Sequence, residues 1–164
     1  MLKIIALCLG LISTSVLAME NLPSGKIKEG LIGQAAVEFN LPMALGGEKS
    51  LTRAREGKKA VVLFWATWCP HCREEIARVN ENAEAIGQKG IKILLVDLGE
   101  TPGEVAAYLQ HNKINLDSFV DADNSLQEPY QLVGVPTLVF IDEDGLIRGM
   151  THGFPSNYEE LFAP

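Results

Sequence analysis

A chain of 164 residues, 47% of them apolar and 21% charged, has the length and apolar content of one folded domain. Its formal net charge of −7 argues against a nucleic-acid partner. No stretch beyond residue 18 is apolar over the ~20 residues a membrane-spanning helix needs, so no stable membrane insertion is expected once the amino-terminal segment is removed.

That segment, residues 1–18, reads as a secretory signal. Lys3 supplies a positive start, Ile4 to Ile12 form a short apolar run, and Val16-Leu17-Ala18 ends on a small residue suited to cleavage. Export places the chain outside the cytoplasm, most simply in a bacterial periplasm, with a membrane anchor as the outcome if the segment is not cleaved. Removal of Cys8 with the signal leaves two of the three cysteines, Cys69 and Cys72. In an oxidising compartment such a pair is expected to form a bridge or to do redox work.

Residues 19–33 are polar, with Pro and Gly, and read as a lead-in to a domain over 34–164. Val37 to Leu41 alternate apolar and polar like an edge strand, Gly46-Gly47 mark a turn, and Leu51 starts a second short strand or a helical turn, which gives an amino-terminal hairpin extension. Ala60 to Trp65 are continuously apolar, the pattern of a strand buried on both faces. Ile76, Val79, Ala83 and Ile86 then recur at helical spacing, closed by Gly87 and Gly90. Ile91 to Val96 predict a second central strand. Thr101-Pro102-Gly103-Glu104 is a capping box with Pro at the first helical position, so a helix is expected from about 102 to 112. Asp123 is expected to cap a short helix running to Tyr130. Thr137–Ile141 and Leu146–Met150 flank the turn Asp142-Glu143-Asp144-Gly145 as an antiparallel pair, and a final short helix is expected over 156–162. The order is strand, helix, strand, helix, hairpin: an α/β layer sandwich on a mixed sheet.

The chemistry concentrates where the first buried strand meets the long helix. There Cys69-Pro70-His71-Cys72 puts Cys69 at the helix N-terminus, where unpaired backbone N–H groups favour an anion. Pro70 suits the first turn, and Cys72 follows close enough to bridge. Thiolate is the nucleophilic form, and His71 can add a positive charge or a donor beside it. Each unit by which the Cys69 pKa is lowered below ambient pH stabilises the reduced state by about 1.4 kcal/mol, which raises a two-electron potential by about 30 mV. A Pro-His pair between the cysteines therefore pushes toward an oxidising protein.

Other readings of the pair are weaker. A purely structural disulfide would close a very small loop and stabilise little. Zinc needs four ligands, and none of His71, His111 and His152 has a close-spaced second partner. Covalent haem attachment needs His after the second cysteine, where this chain has Arg73.

The segment Phe64-Trp65-Ala66-Thr67-Trp68-Cys69-Pro70-His71-Cys72 resembles the active-site segment of thioredoxin-like proteins, and its Trp-Ala-Thr-Trp-Cys form is most similar to the exported TlpA/ResA-type branch. The similarity continues through residues 31–150 at Gly33, Phe39-Asn40-Leu41, Val96-Asp97, Gly134-Val135-Pro136-Thr137 and Ile141-Asp142-Glu143-Asp144-Gly145. The resemblance implies a thioredoxin-like fold, a central mixed β-sheet flanked by helices. It implies a thiol–disulfide oxidoreductase that needs no dissociable cofactor and no metal, and whose partners are cysteine-containing protein substrates and a redox partner protein. Cys69 would attack or be attacked, and Cys72 would resolve the mixed disulfide. Pro136 would be cis and face the cysteines, leaving the Val135 backbone open to a substrate peptide, with Trp68 on the docking surface and Trp65 in the core.

Two departures qualify the resemblance. Thioredoxins carry a buried acid in the strand before the active site, where this chain has Leu63. Glu75, three residues after Cys72, matches the acid of the ResA-type branch and is the candidate proton acceptor for Cys72. Pro70-His71 resembles the DsbA oxidases while the body resembles reductases, so the direction of electron flow stays open. A rival of another class is a thioredoxin-like copper chaperone using Cys69, Cys72 and His152, although the cysteines of such proteins are usually spaced one residue wider. A peroxidase is weaker still, because Ala66 stands where peroxiredoxins have Thr.

Overall fold

The computed structural model describes residues 30–163; the expected signal, and the lead-in up to residue 29, lie outside them. A small hairpin comes first: β1 (Asn40–Pro42) and β2 (Glu48–Ser50) pair antiparallel across a turn in which Gly46 and Gly47 adopt φ of 100° and 81°, a region that disfavours side chains with a Cβ. Helix α1 (Leu51–Arg55) follows directly, with Ser50 accepting the Arg53 N–H. Strand β3 (Lys59–Trp65) leads to α2 (Pro70–Glu81), α3 (Ala83–Gln88) and β4 (Ile91–Leu98). Helix α4 (Pro102–His111), β5 (Asp117–Asp121), β6 (Thr137–Ile141) and β7 (Ile147–Thr151) follow, and a short 3-10 helix, Tyr158–Phe162, lies within the span expected for a final short helix.

The five strands lie in the order β5-β4-β3-β6-β7, with β3–β4 and β4–β5 parallel and β3–β6 and β6–β7 antiparallel. Centrality explains the continuous apolar run: every residue from Ala60 to Trp65 is buried. Its two faces serve two cores. Val61, Leu63 and Trp65 pack with Ile76, Val79, Ile86, Val105 and Leu109 under α2, α3 and α4. Ala60, Val62 and Phe64 pack with Leu51, Ala54, Leu126 and Tyr130 on the opposite face. This is the expected thioredoxin-like α/β architecture with its amino-terminal hairpin.

Four local readings need correction. The alternating segment 37–41 contributes only its end to β1; before it, the Val37 carbonyl accepts from the Tyr130 hydroxyl and the Phe39 carbonyl from Leu51 N. Strand β5 was not anticipated: Phe119 and Val120 are its large apolar residues, and acids bracket them. Asp121 is nevertheless buried, since its carboxylate accepts from Ser125 N and Oγ at 2.9 and 2.7 Å and from Leu126 N at 2.9 Å. The same contacts displace the expected Asp123-capped helix. Residues 122–131 fold as consecutive turns organised by Asp121, and Tyr130 is core, its hydroxyl donating to Val37 O at 2.7 Å. Residues 30–33, at the end of the expected lead-in, already belong to the fold: Leu31 is buried and Gly33 N donates to Ile147 O.

Candidate active site

The site forms at the carboxyl end of β3, where a crevice opens beyond the parallel strands. Cys69 is the N-cap of α2, Pro70 occupies the first helical position, and the Cys72 N–H donates to Cys69 Sγ at 3.2 Å. The two cysteines form a disulfide with a Cα–Cα distance of 5.3 Å, inside the ordinary range for a bridge. Exposure separates them: Cys69 keeps 5% and Cys72 none. Cys69 is thus largely enclosed, yet it is the accessible member of the pair.

Facing it is the peptide bond Val135–Pro136, which is cis. The Val135 carbonyl oxygen lies 3.8 Å from Cys69 Sγ. Strand β6 begins only at Thr137, paired with Phe64, so Val135 stays outside the ladder. Beside it a cavity of about 270 Å³ is lined by Ala66, Trp68, Leu98, Leu132, Gly134 and Val135, with Asn124 and Gln127 as its polar part. Trp68 is 66% exposed at its rim and Val133 is exposed next to it, whereas Trp65 is fully buried against Tyr108, with ring centroids 5.3 Å apart.

The remaining expected residues divide. His71 faces solvent, its Nδ1 3.8 Å from Glu74. Glu75 is turned toward the carboxyl-terminal loop: its Oε1 accepts from Phe154 N at 2.5 Å and from Arg78 Nη2 at 2.6 Å. His152 also serves this region, with Nδ1 3.0 Å from Pro136 O; because a carbonyl only accepts, that nitrogen carries the proton. Among the described residues no group of three or more His, Cys, Asp or Glu side chains is placed to hold a metal ion.

Two acids that sequence reasoning did not assign lie on the other side of the reactive turn. Glu100 grips Thr67 bidentately, accepting from its N–H at 2.6 Å and its hydroxyl at 2.5 Å. Arg73, on the first turn of α2, donates to Thr67 O and stacks over Tyr108 at 6.0 Å. Asp97, strand partner of Trp65, is completely buried, and neither carboxylate oxygen has a hydrogen-bond donor. Burial, together with the neighbouring Glu100 carboxyl, pushes its pKa up to about 8. The only signal in the sequence was an acid at the end of an otherwise apolar strand, with a second acid three residues on.

Comparison with known proteins agrees with this geometry. The sequence profile described as the AhpC/TSA family matches residues 32–150. The "Thiol:disulfide interchange protein DsbE" of Pseudomonas fluorescens is 35% identical over 130 residues, covering 77% of this chain and 70% of the relative. The "Thiol-disulfide oxidoreductase ResA" of Geobacillus thermodenitrificans is 29% identical over 122 residues, covering 74% and 70%. The thioredoxin domain of a thiol-disulfide oxidoreductase from Bacteroides vulgatus superposes with a TM-score of 0.70 at 22% identity, over 80% of this chain and 98% of that one, and so shares the fold. The chain therefore belongs to the AhpC/TSA family, where it stands among the thioredoxin-like thiol–disulfide oxidoreductases of the ResA and DsbE type.

Proposed function

We propose that the protein exchanges its Cys69–Cys72 disulfide with cysteines of protein clients outside the cytoplasm, and that its equilibrium favours client oxidation. The observation that carries the reading is a disulfide capping α2, with one partly accessible sulfur beside the Val135–Pro136 bond. A client thiolate attacks Cys69 Sγ. The bond to Cys72 breaks, and Cys72 leaves with the electron pair and takes up a proton. A second client thiolate then attacks the client sulfur of the mixed disulfide and expels Cys69 as thiolate. The client loses two electrons, the protein gains two, and a redox partner protein removes them in the next cycle. In the reverse sense Cys72 resolves a mixed disulfide formed by Cys69 attack.

The Cys72 N–H aimed at Cys69 Sγ supports the oxidising poise, because it stabilises the sulfur as an anion once the bond opens. Val135, outside the β6 ladder, supplies backbone for an extended client segment, and exposed Trp68 supplies apolar contact. Export rests on the charged start, short apolar run and small-residue end of residues 1–18; among the described residues no helix is long and apolar enough to cross a membrane. Substituting Cys69→Ser tests the exchange: the variant should lose all insulin reduction and all client oxidation, and residual turnover by either route overturns the reading. Equilibration with glutathione at neutral pH tests direction. A potential well above that of thioredoxin, about −270 mV, is expected, and a value near it reverses the direction.

A further inference from the structure

A buried carboxyl group with no hydrogen-bond donor and no cation beside it does not ionise cheaply. Asp97 has no exposed surface and no donor for either oxygen; its polar neighbour is Glu100, itself a carboxyl. Alternation along β4 places Asp97 on the same face as Ile91, Ile93 and Leu95, the face that packs with Trp65, Cys69 and Cys72. Glu100 in turn holds the N–H and hydroxyl of Thr67, two residues before Cys69. Glu100, the carboxyl beside Asp97, is thereby fastened to the turn that carries the reactive sulfur. Glu75, by contrast, spends its hydrogen-bonding oxygen on Phe154 and Arg78.

We infer that Asp97 holds a proton beneath the reactive turn, and that it holds this proton more tightly when Cys69 and Cys72 are reduced than when they are bridged. The inference rests on the thiol–disulfide reading of the site. Reduction of the pair adds two electrons, leaving Cys69 as thiolate and Cys72 as thiol. The new negative charge at Cys69 disfavours ionisation of Asp97, so reduction draws an additional fraction of a proton from solvent onto it. Asp97 is a tuning element of the redox centre and contacts no client. The other ionisable groups around it are Arg73 on α2 and Glu104 and Tyr108 on α4. Glu104 adds to the repulsion, and Arg73 is committed to Thr67 O and the Tyr108 ring. On β5 the strand partner of Asp97 is the uncharged Val120.

The test is the side-chain carboxyl resonance of Asp97 in the wild-type protein, followed by 13C NMR from about pH 6 to pH 10 in the oxidised and the dithiothreitol-reduced states. Linkage requires reciprocity, so the titration midpoint should be higher in the reduced protein, by at least about threefold in proton affinity. Equal midpoints overturn the inference. A second measurement follows the potential against pH. The wild-type curve should steepen near pH 8, Asp97→Asn should remove that feature while exchange at pH 6 persists, and Glu75→Gln should retain it. Persistence of the feature in Asp97→Asn also overturns the inference. If the protein equilibrates with glutathione while the Asp97 titration ignores redox state, only this inference fails. If no exchange with glutathione occurs at all, the proposed function fails.

Discussion

Replacing Asp97 with Asn should change how stability depends on pH, and the size of the change follows from burial. In the unfolded chain an aspartate titrates near 3.9, whereas in the fold burial and the Glu100 carboxyl raise Asp97 to about 8. An acid whose native pKa is raised binds more protons folded than unfolded at every pH between the two values. Its contribution is fully present below about pH 4 and is lost progressively as pH rises toward 8. Over about three units, from pH 5 to pH 8, this group alone removes roughly 1.4 kcal/mol per unit, about 4 kcal/mol in total. That is a large share of the 5–15 kcal/mol typical of a domain. Asn is the neutral isostere, so Asp97→Asn should lack this slope. Urea unfolding at pH 5, 6.5 and 8 measures it. The difference in stability between variant and wild type should grow by several kcal/mol in favour of the variant, with an unchanged m-value. Parallel stability curves would refute the claim that Asp97 keeps its proton in the fold.

Two further substitutions probe the frame around the site. Tyr130→Phe deletes the 2.7 Å hydrogen bond to Val37 O from a fully buried ring; it should cost about 1 to 2 kcal/mol in urea unfolding and leave exchange with glutathione unchanged. Glu75→Gln keeps an oxygen for the Phe154 N–H but loses the charge and the Arg78 ion pair. Stability should fall by about 1 kcal/mol, and the alkylation profile of Cys72 against pH should not move. A displaced profile would establish Glu75 as the proton acceptor of Cys72.

How much of this was legible in the sequence depends on whether the cause is local. Ala60–Trp65 announced a central strand because burial on both faces leaves no polar position. Thr101 to Glu104 announced a helix start because a capping box is a contact within one turn, and both of its hydrogen bonds are present. The cysteine pair was legible for the same reason: a strand end, a Pro and a helix start are adjacent in the chain. Strand β5 was hidden because the burial of Asp121 depends on donors from Ser125 and Leu126, which periodicity does not register. Arg55 was equally silent. It is buried at the end of α1, where its guanidinium donates to the carbonyls of Lys58, Asp142 and Glu143, the latter two brought close only by the sheet. The acids of the site divide along the same line. Glu75 is singled out by its spacing to Cys72, whereas its contact with the Phe154 N–H is one that only the fold supplies. Glu100 lies far from Cys69 in sequence, and only the parallel pairing of β3 with β4 brings it to Thr67.

The central claim is that Cys69 is the sulfur that meets the client and Cys72 the one that releases it. Incubating Cys72→Ala with a disulfide-containing peptide and reading the adduct by mass spectrometry tests this directly. A stable mixed disulfide at Cys69 should accumulate, while the Cys69→Ala counterpart, whose remaining site thiol has no exposed surface, should capture nothing. Capture by Cys72 alone, or by neither sulfur, would contradict the account.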